Sequence, residues 1–150
     1  MVSALIPELN LDCLAAKYAQ IIGNDVGEPA DFKKLDAVST TALGVLQEKG
    51  VYAFFLYLLA RKKSEDAKIA NILVYQLLNA LKEKPFAAID INYPVDLKRN
   101  SVDKQINQIL DQVVKKIASN ISTSILVADF YEQVLIYTRH LAKARSKAKE

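Results

Sequence analysis

The chain has one cysteine, one histidine, one methionine and no tryptophan, with only four glycines and four prolines in 150 residues. Each scarcity removes a class of protein. A single cysteine, Cys13, excludes an intrachain disulfide framework and fits a reducing compartment. One Cys and one His cannot supply the four ligands of a structural zinc site. Gly23, Gly27, Gly44 and Gly50 match neither the phosphate-loop nor the dinucleotide-binding spacing. So few glycines and prolines, beside abundant Ala, Leu, Lys and Ile, favour helices over many-turned β folds. The ten-residue apolar run Val51–Ala60 falls far short of the roughly 20 residues that cross a bilayer. Pro7 and Glu8 break up any leader-like pattern in Met1–Leu11, so the expected location is cytoplasmic and no membrane partner is expected.

The inventory for catalysis is equally thin. Any Ser-His-Asp or Cys-His arrangement has to use His140, which sits among the basic residues near the C-terminus. Its expected role is a solvated or weakly nucleic-acid-contacting side chain. Cys13 stands next to Leu14 beside an apolar face, where a buried structural thiol is the default. Asp90 and Asp96 flank Tyr93-Pro94, and paired carboxylates can hold Mg²⁺, but two acids in a turn-rich loop are ordinarily solvated. The expectation is a protein that is not an enzyme, with no cofactor and no metal.

What is present reads as one domain, 1–150, of all-α class: a bundle of about six helices around a central apolar helix, with an irregular loop at about 85–100. A 51% hydrophobic fraction over this length can bury a core without staples. Leu11, Leu14, Ala15, Tyr18, Ile21 and Ile22 share one face of a helix over about 8–22, with Gly23-Asn24 as its stop. Phe32, Leu35, Val38, Ala42, Val45 and Leu46 mark a second helix over about 30–48. Lys49-Gly50 either ends it or kinks one longer helix through the apolar run. That run, apolar on every side, predicts a helix enclosed by the others. A fourth helix extends to about Lys82. Residues 85–100 hold Pro85 and Pro94, and the alternation Ala88–Asn92 permits a short extended segment. Val102, Ile106, Ile109, Leu110, Val113, Val114 and Ile117 form an amphipathic fifth helix. Leu126, Val127, Phe130, Val134, Tyr137, Leu141 and Ala144 lie within one arc of a last helix that begins at about Ser124.

Charge is segregated along the chain. Residues 139–150 carry five Lys or Arg against one Glu, a net of +4; since the whole chain is +3, the preceding 138 residues sum to −1. Arg139, Lys143 and Lys147 step by four and lie opposite the expected apolar arc, which predicts an exposed stripe. Position i−4 of Arg139, Lys143, Arg145 and Lys147 holds no acid, unlike Lys115, which has Asp111 there. Unpaired cations on one strip suit a phosphate backbone, read without regard to base sequence. The expected nucleic-acid contacts are Arg139, Lys143, Arg145 and Lys147, with Lys116, Lys98 and Arg99 extending the surface. The competing expectations are a solubilising tail and a basic helix that docks on an acidic protein.

Residues 42–62, ALGVLQEKGVYAFFLYLLARK, place a glycine-terminated helix before an Ala-Phe-Leu-rich helix that closes on Arg and Lys. Together with Ala16-Lys17-Tyr18-Ala19 and the closing segment Tyr137–Arg145, this order resembles the small helical subunit of type III-B CRISPR effector complexes, the Cmr small-subunit family. Small subunits of type III-A and type I-A complexes are similar in size and helicity. The resemblance implies a non-catalytic subunit that scaffolds an RNA-guided antiviral complex. Its partners are then other effector subunits, neighbouring copies of itself, and guide RNA and target nucleic acid along a basic face.

Overall fold

The computed structural model describes residues 10–61, 64–91 and 105–148. Among them are six α-helices and no strand: α1 Leu11–Val26, α2 Phe32–Lys49, α3 Val51–Leu59, α4 Ser64–Ala80, α5 Ile106–Val113 and α6 Ile121–Ala148. The all-α bundle expected from composition and periodicity is therefore the fold. A 3₁₀ turn at Pro29–Asp31 leads into α2, another occupies Phe86–Ile89, and a π turn at Val114–Ala118 follows α5.

Local chemistry sets the helix ends. The Asn10 side chain accepts the Cys13 N–H at 3.0 Å and caps α1, with Asp12 in the first turn where the helix dipole favours an acid. Helix α1 runs one turn past the expected Gly23-Asn24 stop. It ends at Gly27, whose φ of 68° is accessible to glycine at little cost. Gly23 is instead a buried interior residue: a Cβ there would lie 2.8 Å from Leu141 Cδ2 and 2.7 Å from Arg145 Nη1, both on α6. Its smallness lets the two helices approach. Gly50, with φ 94° and ψ −174°, donates its N–H to Leu46 O, and Phe54 N–H then bonds to Gly50 O. The α2–α3 junction is thus a break between two helices rather than a kink in one. Asn120 caps α6 by accepting Thr123 N–H at 3.0 Å, so that helix starts three residues before the expected Ser124. Of the segment Ala88–Asn92 expected as extended, Ala88 and Ile89 belong to the 3₁₀ turn Phe86–Ile89, Asp90 is left-handed and Asn92 lies outside the described residues; Phe86 is buried against Phe130 at 4.7 Å between ring centroids.

Helix α6 packs along α2 and α1, while α4 lies against α1 and α3. The apolar run, expected to be enclosed all round, buries Val51, Phe54, Phe55, Leu58 and Leu59 but leaves Tyr52 and Leu56 exposed. The more completely enclosed helix is α4, where Ile69, Ala70, Ile72, Leu73, Val74, Leu77, Leu78 and Ala80 are all buried. Phe54, Phe55 and Tyr131 form one aromatic cluster with centroids 5.4–5.8 Å apart. The Tyr131 hydroxyl, fully buried, donates to Leu77 O at 2.9 Å. That carbonyl belongs to the last turn of α4, where helical partners run out, because Leu81 N–H turns to Leu78 O instead.

Polar ties fix α1 against the rest. Tyr137 of α6 donates to the Asp12 carboxylate, which raises the Tyr137 pKa above the usual phenol value. Tyr18 and Lys17 both donate to Glu83, the latter at 3.0 Å. Burial pushes the Glu83 carboxyl up, but those two hydrogen bonds and the Lys17 charge outweigh it, and its pKa sits below the ordinary value.

Candidate nucleic-acid interface

The last turns of α6 carry the cations singled out by charge, and the structure divides them. The buried seam of α6 is Val127, Phe130, Tyr131, Val134, Leu135, Thr138 and Ala142. At 100° per residue its centre is rotated by roughly 80° from the arc expected from hydrophobicity alone, nearly one residue's step. Tyr131, Leu135 and Ala142 turn inward, while Ala144 is exposed. Two of the four expected cations turn away from solvent: the rotation brings Arg139 toward the seam, and Arg145, five whole turns after Val127, lies on the seam's own line.

Arg139 is one of them. Its Nε lies 3.5 Å from Oδ1 of Asp36 on α2, and the two side chains are 30% and 26% exposed. The expectation of an exposed Arg139 with no neutralising acid is therefore corrected: the acid comes from the neighbouring helix rather than from i−4. Arg145 is the other. It is half-buried, its guanidinium 5.9 Å from the Phe32 ring centroid and its Nη1 over Gly23. Both arginines belong to the packing of α6 against α1 and α2.

Lys143 and Lys147 remain exposed. With Lys33 of α2 they line an open cleft of about 250 Å³, whose other walls are Phe32, Asp36, Ala142 and Ser146. Among the described residues none of these three lysines is in an ion pair. Asp36 is the only acid in the lining among the described residues, and its Oδ1 faces Arg139. Lys33 was not legible as a site residue: it is remote from Lys143 in sequence and is brought to it by the α2–α6 packing. The cleft thus presents three cations, a hydroxyl from Ser146 and an aromatic floor. That set can hold a phosphate by charge and hydrogen bonding.

Of the remaining expected contacts, Lys116 lies elsewhere. Lys116 is half-buried in the π turn that leads into the N-terminal end of α6. From Ile121 to Lys143 the helix rises about 33 Å, so Lys116 does not share the cleft. Lys98, Arg99 and Asp96 lie outside the described residues. Lys115 is paired with Asp111 at 3.0 Å, as the i,i+4 spacing predicts. His140 is exposed on the rim of a second, shallower groove of about 330 Å³ between α1 and α6, with Ala16, Ala19, Gln20, Tyr137 and Leu141. Cys13 is exposed rather than buried, because the inner face of α1 runs through Ala15, Tyr18, Ala19 and Ile22. Asp90 is exposed, in a left-handed conformation with φ 57° after the 3₁₀ turn. Among the described residues no group of three or more His, Cys, Asp or Glu converges in a way that could hold a metal, and no helix is long and apolar enough to cross a membrane.

No protein-family model matches the chain, and no curated protein or solved structure matches it.

Proposed function

We propose that this chain is a non-catalytic binding subunit that contacts the phosphate backbone of RNA, working inside an RNA-guided CRISPR effector complex of the type III-B kind. The observation that carries the nucleic-acid reading is the cleft lined by Lys33, Lys143 and Lys147 from two helices, none of them in an ion pair among the described residues. The finer assignment to the Cmr small-subunit family is supported by the resemblance of residues 42–62 and 137–145; type III-A and type I-A small subunits are its near alternatives. Exposed apolar side chains at Tyr52, Leu56, Ile121 and Ile125 support a protein partner as well, whether another effector subunit or a neighbouring copy. The same exposed residues support the competing reading, a helical adaptor that binds protein alone.

A gel shift with single-stranded RNA across a salt series separates the two. The nucleic-acid reading expects a shift at low salt that weakens as salt rises, and a loss of binding in the double variant Lys143→Glu, Lys147→Glu at unchanged helicity. Two lost phosphate contacts lower the slope of log affinity against log salt by about 1.4. An unshifted RNA at low salt rejects this reading and leaves the adaptor. Genes for a polymerase-like large subunit beside this one are the expected sign of a type III complex.

A further inference from the structure

We infer that the cleft between α2 and α6 is a discrete seat for one phosphate group of a nucleic-acid strand, with Lys33 as an equal partner of Lys143 and Lys147. This rests on the nucleic-acid reading above and specifies which part of the surface does the binding. A diffuse basic stripe attracts a polyanion through the sum of its charges, and each cation then counts according to its exposure. A seat differs because its cations surround one point.

Three observations favour the seat. The lysines come from two helices that Ala142 and Phe32, both buried, hold together, so their stems start from fixed positions. Ser146 adds a hydroxyl to the same lining, a neutral donor of the kind that completes a phosphate site. Asp36, the one acid in the lining among the described residues, has Oδ1 3.5 Å from Arg139 Nε and is partly neutralised before any ligand arrives. Its remaining charge still opposes an anion, and that gives the site an unusual handle: removing an acid should tighten binding. The seat accepts the phosphodiester of an internal nucleotide or the terminal phosphate of a strand end, since both present the same oxygens.

The test measures affinity of the full chain for a single-stranded RNA of mixed sequence, bearing either a 5′-phosphate or a 5′-hydroxyl, by fluorescence anisotropy at fixed low salt. Lys33 is exposed, so Lys33→Gln and Lys33→Glu should fold normally. Lys33→Glu is expected to weaken binding about fivefold, as Lys143→Glu does, which is the order of one screened charge contact. Lys116→Glu, at the far end of α6, should fall well short of that. Asp36→Asn should tighten binding. Lysine acylation followed by peptide mapping should find Lys33, Lys143 and Lys147 protected together by RNA. If Lys33→Glu matters only for the 5′-phosphorylated strand, the seat takes a strand end; equal effects on both strands assign it to internal phosphodiesters. Binding weakened at Lys143 and Lys147 but unchanged at Lys33, with Lys33 still acylated, overturns the seat and leaves the nucleic-acid reading intact. No RNA binding by the unaltered chain overturns both.

Discussion

Two glycines inside helices should respond differently to the same substitution, one gaining stability and the other not. Replacing a helix-interior glycine by alanine contributes about 1 kcal/mol, because the unfolded chain has less freedom to lose and the helix a better former. Gly44 in α2 has nothing within 4 Å of the place a Cβ would occupy, so Gly44→Ala should realise that gain in full. For a chain of this length 1 kcal/mol raises Tm by about 2–4 °C. At Gly23 the backbone gain is the same, but the new methyl meets Leu141 Cδ2 at 2.8 Å and Arg145 Nη1 at 2.7 Å. The guanidinium can swing aside, forfeiting its place over Phe32. Leu141 is half-buried and has less room to yield. Overpacking of this kind costs about 1–3 kcal/mol, so Gly23→Ala should come out between neutral and about 2 kcal/mol destabilised. Urea denaturation followed by far-UV circular dichroism reads both variants, and unchanged m-values establish that the native fold is the reference in each. The two should differ by about 1–3 kcal/mol. Equal stabilisation by both alanines would refute the close approach of α6 to α1 at Gly23.

Tyr131→Phe keeps the aromatic packing but strips Leu77 O of its donor at the end of α4, and should lower unfolding stability by about 1–3 kcal/mol; a loss below about 0.5 kcal/mol means that water or another group serves that carbonyl. Glu83 has its pKa depressed in the fold, so its contribution is present above the unfolded-state value and is lost as pH falls through the folded one. Thermal melts from neutral to acidic pH should therefore fall more steeply for the unaltered chain than for Glu83→Gln, and parallel curves contradict the Tyr18–Lys17–Glu83 cluster. For Asp36 and Arg139 a double-mutant cycle with Asp36→Asn and Arg139→Met should return a coupling of about 0.5–1 kcal/mol, modest because both side chains are partly exposed. A coupling indistinguishable from zero removes the ion pair from the α2–α6 interface.

The helices themselves were legible because apolar periodicity depends on solvent alone. The inner face of α2, through Phe32, Leu35, Val38, Ala42 and Leu46, is buried as its spacing predicts. Gly50 was readable as a discontinuity, though the choice between a kink and a break needed its φ of 94°. What the pattern could not convey is the purpose of a small residue. Gly23 looks like a helix stop when only neighbours in sequence are considered, and its real constraint is a side chain from a helix more than a hundred residues away. Cys13 shows the same effect: it stands next to Leu14 in sequence, yet α1 faces inward through residues one step further round the helix and leaves the thiol exposed.

The candidate site was legible to the extent that its cations are exposed, and the misreadings follow from a single geometric cause. Hydrophobicity averages over a helix face, so it weighted Tyr137, Leu141 and Ala144 toward the core and set the opposite side at Arg139. The buried seam instead follows Tyr131, Leu135, Thr138 and Ala142, with Thr138 accommodated by donating its hydroxyl to Val134 O at 2.7 Å. A threonine that satisfies its own hydroxyl within the helix behaves as a small apolar residue, and no hydropathy scale credits it as one. With that seam facing α1 and α2, Arg139 falls on the flank beside Asp36, Arg145 falls over Phe32, and the side left to solvent passes through Lys143 and Lys147. The i−4 positions of these α6 cations hold no acid, and the partner of Arg139 arrives from α2 instead. The helix packing that supplied Asp36 also supplied Lys33, so the correction that withdraws Arg139 from the surface is the one that assembles the cleft.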